Sequence, residues 1–234
     1  MRLRQRPGGV PREAPPDPDI GHREAAARLE AAHLYVITPD RDPGDVLALA
    51  TAAIRGGADV IQLRHKSLAR GELLALARQL RVETRAAGVL FVVNDHVDIA
   101  LLSEADGVHL GPDDLSIEGA RRVAGDRLLI GASASSPDAA TAAVRHGADY
   151  VGSGPAFATP IKSEKQVIGP AGVAAVAAAV GAAVRVFAIG GIDASNIARL
   201  TAVGVRRVCV IRAVADAADP EAAVRGLRAM LDAR

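Results

Sequence analysis

Gln62, Arg64 and Lys66 occupy alternate positions in the run from Asp59 to Lys66. Read as a strand, that spacing aims an amide, a guanidinium and an ammonium at one face. Two cations in a row lose hydration at a cost unless an anion meets them, so the run reads as a surface for a phosphate ester. The choice of lysine sharpens this reading. Of 28 basic residues only Lys66, Lys162 and Lys165 are lysine, so a chain that otherwise uses arginine places a compact point charge here.

Carboxylates stand where the next two strands should end. Asn94-Asp95 closes one apolar run and Asp113-Asp114 follows another. Acidic groups beside a cationic strand make sense if a hard divalent cation lies between them and a diphosphate, and Mg²⁺ takes one or two carboxylates plus waters and phosphate oxygens. Asp113 and Asp114 have an ordinary alternative, the capping of a helix that starts near Leu115. The segment from 152 to 170 is long for a strand-to-helix connection, and its small residues around Thr159 and Lys162 suit a flap that closes on a ligand. Gly190-Gly191 lets backbone amides approach a ligand, and Asp193 or Ser195 is expected to start the helix that follows. With the last strand end at Ile211-Arg212, this makes a candidate phosphate site.

Histidines carry less of the chemistry. His109 alternates with Val108 and Leu110 and reads as a hydrogen-bonded core histidine, while His65 faces away from Arg64 and is expected to pack against a helix. No histidine spacing fits zinc or iron, and neither a nucleophile elbow nor a triad order is present.

The elements that position these residues repeat along the chain. From residue 34 a short β-branched run, a polar turn and an Ala/Leu-rich helical segment recur to the end, which means parallel strands joined by crossover helices. Strands are expected at 34–38, 60–64, 90–94, 107–111, 128–133, 150–154, 186–190 and 208–212. Eight such units predict an α/β fold, a single (β/α)8 TIM barrel over residues 31–234, with chemistry at the C-terminal strand ends. An open doubly wound sheet is the alternative, but the first strand is followed by Thr38-Pro39-Asp40 rather than a glycine fingerprint. Residues 1–30 read as an extension outside the barrel, a disordered Pro/Arg/Gly tail leading into a short helix.

Totals exclude several classes. A net charge of +1, 2% aromatic residues and no tryptophan leave neither a basic field nor stacking platforms for nucleic acid. No uncharged apolar stretch of membrane-spanning length occurs, and the first 30 residues lack a secretory apolar segment. The single cysteine, Cys209, rules out an intrachain disulfide and suits a reducing cytoplasm. Homo-oligomerisation is left open.

Taken in order, these motifs resemble the thiamine phosphate synthase family. The matching residues are Gln62-Leu63-Arg64-His65-Lys66, Asn94-Asp95, Ala105 to Gly111 with Asp113-Asp114, Gly131 to Ala134, Gly154 to Lys162 and Ile189 to Ile192. The resemblance spans roughly residues 34–215. It implies an Mg²⁺-dependent transferase. The enzyme would couple 4-amino-5-hydroxymethyl-2-methylpyrimidine diphosphate to 4-methyl-5-(2-phosphoethyl)thiazole, giving thiamine phosphate and pyrophosphate. It further implies that Gln62, Arg64, Lys66, Asn94, Ser133 and Lys162 hold the pyrimidine diphosphate, and that Asp95 and Asp114 ligate magnesium. Thr159, Gly191, Ile211 and Arg212 would contact the thiazole phosphate. Arg64, Lys66, Ser133 and Lys162 would carry the catalytic charge stabilisation. Ile161, Arg212, Pro112 and His65 depart from the family pattern; Ile161 removes one hydroxyl contact and Arg212 adds a charged one. The alternatives are a thiazole tautomerase-like barrel, which would not need the acidic pair, and a non-catalytic binder of thiamine precursors.

Overall fold

The computed structural model describes residues 18–159 and 166–233. Among these residues eight parallel strands form one closed barrel in chain order. They are β1 (Leu34–Ile37), β2 (Val60–Leu63), β3 (Leu90–Asn94), β4 (Gly107–Leu110), β5 (Leu129–Ser133), β6 (Tyr150–Ser153), β7 (Arg185–Ile189) and β8 (Val208–Val210). β8 pairs back onto β1, with Cys209 beside Tyr35, so no open edge remains and the doubly wound alternative is excluded. Each strand lies within two residues of its expected run.

The helices are α1 (Pro18–Ala31), α2 (Pro43–Gly56), α3 (Arg70–Ala87), α4 (Val97–Leu102), α5 (Ile117–Ala124), α6 (Pro137–Arg145), α7 (Gly169–Val180), α8 (Ile197–Thr201), α9 (Arg212–Ala215) and α10 (Pro220–Asp232). Their placement follows from spacing. α3, for instance, buries Leu73, Leu76, Ala77, Leu80 and Thr84, a stripe of helical period that faces the sheet. Strand residues divide by parity. Val36, Ile61, Leu63, Phe91, Val93 and Val108 point outward into the helix layer. Tyr35, Val60, Leu90, Leu129, Tyr150 and Phe187 point inward and fill the barrel.

A further element closes the N-terminal mouth. Ala25 and Leu29 of α1 are buried in the same cluster as the inward-facing strand residues, so α1 plugs the barrel from below. The short helix expected within residues 1–30 is thus present as α1 and packs onto the barrel through Ala25 and Leu29. The cause is an i, i+4 apolar pair whose neighbours find charged partners on the barrel: Arg28 bonds Asp106 at 2.9 Å, and Glu30 pairs with Arg185.

The same end is held by a repeated device. Ala58-Asp59, Ala105-Asp106 and Ala148-Asp149 immediately precede β2, β4 and β6. Each carboxylate reaches back to the strand before it. Asp59 accepts from His33 N and Leu34 N at 2.7 and 2.9 Å, Asp106 from Phe91 N at 2.8 Å and Asp149 from Ile130 N at 2.6 Å. Each also takes arginine: Arg228 on Asp59, Arg28 and Arg81 on Asp106, and Arg121 on Asp149. Charge-assisted bonds of this kind fix strand pairs β1–β2, β3–β4 and β5–β6 at their starts. Cys209 is a buried free thiol inside the barrel. No described helix is long and apolar enough to cross a membrane.

Candidate active site

A cavity of about 1010 Å³ opens at the C-terminal ends of the strands. Its volume suits two small ligands held together. Gln62, Arg64 and Lys66 all line it, as their alternation requires. Gln62 is buried within the ring, Arg64 is partly buried and Lys66 reaches the rim. The β1–α2 loop fixes this strand end. Thr38 Oγ1 accepts from Arg64 N at 3.1 Å, and the Asp40 carboxylate accepts from Lys66 N and, at 3.4 Å, from the Arg64 guanidinium. Asp40 was missed in the sequence because its only local signal, a carboxylate just after the first strand, is ordinary. His65 is buried on the opposite side and bonds the Arg41 carbonyl at 2.9 Å, so it anchors this loop.

The acidic pair comes from β3 and β4. Asp95 has a left-handed backbone, φ 64°, which a non-glycine residue adopts only under constraint; its N–H bonds the His109 carbonyl at 2.8 Å. Its carboxylate meets the Lys66 ammonium. Asp114 accepts from Gly111 N at 2.7 Å and lies within hydrogen-bond reach of Asp95. Burial by itself would raise the Asp95 carboxyl, but hydrogen bonds from Asp114 and Lys66, with the Lys66 charge, hold it below the usual carboxylate range. Burial, then the bond to Asp95 and its negative charge, push Asp114 the other way, against the Gly111 N–H. Two carboxylates this close share a proton or a cation.

The capping alternative for the pair is corrected here. α5 begins at Ile117, and Ser116 caps it by accepting from Gly119 N at 3.1 Å, so neither Asp113 nor Asp114 serves the helix. That leaves Asp114 for the cavity. The donor set suits magnesium: two carboxylates of hard oxygen, with no cluster of three His, Cys, Asp or Glu side chains able to complete a cage among the described residues. Water and phosphate oxygens would have to supply the remaining ligands.

Beneath the acidic pair a chain of polar groups crosses the barrel. Gln62 Nε2 donates to Tyr35 Oη at 2.6 Å, Tyr35 Oη and Tyr150 Oη are 3.0 Å apart, and Tyr150 Oη lies 3.3 Å from His109 Nδ1. His109 Nε2 is 3.0 Å from Ser133 Oγ, which lines the cavity. His109 therefore joins the core to the cavity, which its sequence context as a core histidine only half foretold. Tyr35 and Tyr150 were not singled out in the sequence. Their inward parity on β1 and β6 was the available signal, together with Gly131, where a Cβ would lie 2.1 Å from the Tyr150 ring.

The thiazole side of the expected site is built by β6, β7 and β8. Thr159, Gly191, Ile211 and Arg212 all line the cavity, as does Asn94 on the other wall. The start of the long sixth connection is laid along the β7 turn: Ala156 N bonds Ile189 O at 2.8 Å and Phe157 N bonds Gly190 O at 2.9 Å. Gly191 has φ 63°, and a Cβ there would come within 2.4 Å of Ala158 O, so glycine is required for that approach. The expected flap is thus pinned at its base over residues 156 and 157. Lys162, Lys165 and Ile161 lie outside the described residues. The reading of Asp193 or Ser195 as a helix start is also corrected. α8 begins at Ile197, and Asp193 instead accepts from Ser195 N and Oγ at 2.8 and 2.6 Å in a local turn. Arg212 is exposed at the mouth, at the start of the single-turn α9.

Comparison with known proteins gives a consistent result. The family described as thiamine monophosphate synthase matches residues 34–214. The chain is 44% identical over 200 residues to the thiamine-phosphate synthase of Chlorobium luteolum, covering 85% of this chain and 92% of that one. It is 43% identical over 200 residues to the thiamine-phosphate synthase of Thermosynechococcus vestitus, covering 86% of this chain and spanning 56% of that longer relative. Among solved structures, thiamine phosphate pyrophosphorylase from Pyrococcus furiosus superposes with a TM-score of 0.80 at 37% identity, covering 88% of this chain and 98% of that one.

Proposed function

The chain belongs to the thiamine monophosphate synthase family, and from that premise we propose that it joins an aminopyrimidine methyl diphosphate to a thiazole phosphate, forming thiamine phosphate and releasing pyrophosphate. The observation that carries the reading is the meeting of Lys66 and Arg64 from one strand end with Asp95 and Asp114 from the next two at a single rim. Cations beside a crowded acidic pair fit a diphosphate and a divalent metal together better than either alone.

The reaction needs charge stabilisation on the leaving group more than it needs a base. As the C–O bond to pyrophosphate breaks, negative charge gathers on the departing oxygens and positive charge on the pyrimidinylmethyl carbon, which the thiazole nitrogen then captures. Arg64, Lys66, Asn94, Ser133 and Gln62 all line the cavity; Arg64 and Lys66 would face the departing charge, Asn94 would add a polar contact on the same wall, and Ser133 and Gln62 would hold the ring below. Lys162 would join the cations from the sixth loop. Asp95 and Asp114 would hold a magnesium ion, which supplies positive charge to the diphosphate oxygens when bound. Thr159, Gly191, Ile211 and Arg212 would hold the thiazole phosphate across the cavity. The absence of a required general base matches a site whose one inward histidine is hydrogen-bonded to Ser133 and Tyr150.

A reducing cytoplasm is the proposed setting, since the only cysteine is a buried thiol whose ionisation burial pushes well up. The test is direct. The protein is incubated with both phosphorylated substrates, with magnesium and with chelator, and thiamine phosphate is measured. Product with metal and none with chelator is expected; isomerisation of a thiazole carboxylate phosphate without metal would instead favour the tautomerase reading.

A further inference from the structure

Two fully buried phenols sit under the cavity, and their hydrogen bonds leave little freedom in direction. The Gln62 amide nitrogen can only donate, so Tyr35 Oη accepts from it at 2.6 Å. Tyr35 then has one hydrogen to give, and Tyr150 Oη at 3.0 Å is its neighbour. Tyr150 Oη, if it accepts there, has His109 Nδ1 at 3.3 Å as the neighbour for its own hydrogen. A neutral imidazole that accepts at Nδ1 carries its hydrogen on Nε2, and that atom is 3.0 Å from Ser133 Oγ. Ser133 accepts there, and its own hydroxyl hydrogen is left for the cavity. Burial keeps both phenols in their neutral O–H form, far from ionising.

We propose that Tyr35, Tyr150 and His109 are positioning residues: they form a one-way hydrogen-bond relay from Gln62 that commits the Ser133 hydroxyl to donate into the cavity, to a ring nitrogen of the aminopyrimidine. The substrate class rests on the functional reading above; the relay itself does not. Without the relay a serine hydroxyl can either donate to a ring nitrogen or accept from an amino group, and the ring could bind in two flipped orientations. With Ser133 fixed as a donor, one orientation satisfies the floor and the other leaves an unpaired contact, which is costly in a closed site. The reactive methylene and its diphosphate are then carried to the wall of Arg64 and Lys66 rather than away from it. The fold makes room for this at Gly131, where any side chain would collide with Tyr150, and at Gly152, where a Cβ would lie 3.2 Å from His109.

The experiment has two parts that fail separately. In the first, ¹⁵N NMR of the full chain reads the tautomer of His109, assigned by its disappearance in His109→Asn. Hydrogen on Nε2 with a bare Nδ1 is expected, and Tyr150→Phe should release that preference; hydrogen on Nδ1 would mean the chain runs the other way and overturns the relay. In the second, calorimetry measures binding of the aminopyrimidine diphosphate and of the two analogues in which one ring nitrogen is replaced by C–H. One analogue should bind about tenfold more weakly to the wild type, the effect of a lost hydrogen bond. That penalty should vanish in Ser133→Ala and shrink in Tyr35→Phe and in Tyr150→Phe, two variants that retain ring packing, while affinity for the thiazole phosphate stays unchanged. Equal penalties in wild type and both tyrosine variants would overturn the positioning role. If the wild type binds none of the three diphosphates, the functional reading fails, and the NMR result still decides the relay.

Discussion

The two ends of the barrel use aspartate in opposite ways. At the N-terminal end Asp59, Asp106 and Asp149 each accept a backbone N–H at the start of the preceding strand and an arginine, so every carboxylate has an opposite charge and a backbone donor. At the C-terminal end Asp95 and Asp114 stand beside each other, with the Lys66 ammonium paired to Asp95. Paired carboxylates stabilise the ring, whereas the crowded pair is the one proposed above to take a cation. The same residue type is thus structural or functional according to what the neighbouring strand offers it.

Substitution at either end should separate stability from turnover. Asp95→Asn removes the charge of the proposed metal ligand yet tolerates the left-handed backbone, so turnover should fall on the order of a thousandfold with little change in melting temperature. A matching loss of stability would erase the distinction between the ends. Asp106→Ala should do the reverse. It leaves Arg28 and Arg81 facing a vacated, largely buried position, so denaturant unfolding should show a loss of about 3 kcal/mol while kcat of the folded protein holds.

Smaller effects sharpen the map within the functional end. Lys66→Met should raise KM for the pyrimidine diphosphate roughly tenfold, since a charge-assisted contact is lost. KM for the thiazole phosphate should stay where it was, and a rise in both would place Lys66 elsewhere. Arg212 is exposed at the mouth, so Arg212→Ser should raise KM for the thiazole phosphate by only about threefold to fivefold, in line with a solvent-screened charge. An unchanged KM there removes Arg212 from the phosphate site.

Much of this was legible before folding was considered. The parity of Gln62, Arg64 and Lys66 named one wall of the cavity, and the ordered strand ends named Asp95, Ser133, Gly191 and Arg212. Helix starts were less legible: Ser116 caps α5, where capping by Asp113 or Asp114 stood as the alternative to a site role, because several small polar residues in a row each satisfy the local preference. Asp40 escaped notice because its role is to receive groups from a different strand. His109 was placed correctly inside the barrel, but its partners Ser133 and Tyr150 are 24 and 41 residues away.

The amino-acid sequence by itself determined the eight repeating units, the inward and outward faces of each strand and the end of the barrel at which chemistry gathers, because period and β-branching act over a few residues. Only the tertiary structure decided that α1 plugs the barrel, that Lys66 meets Asp95, and that Tyr35 and Tyr150, 115 residues apart, pass a hydrogen bond across its centre. Those contacts depend on ring closure and on the room left by small residues on neighbouring strands, and no local stretch of chain encodes either.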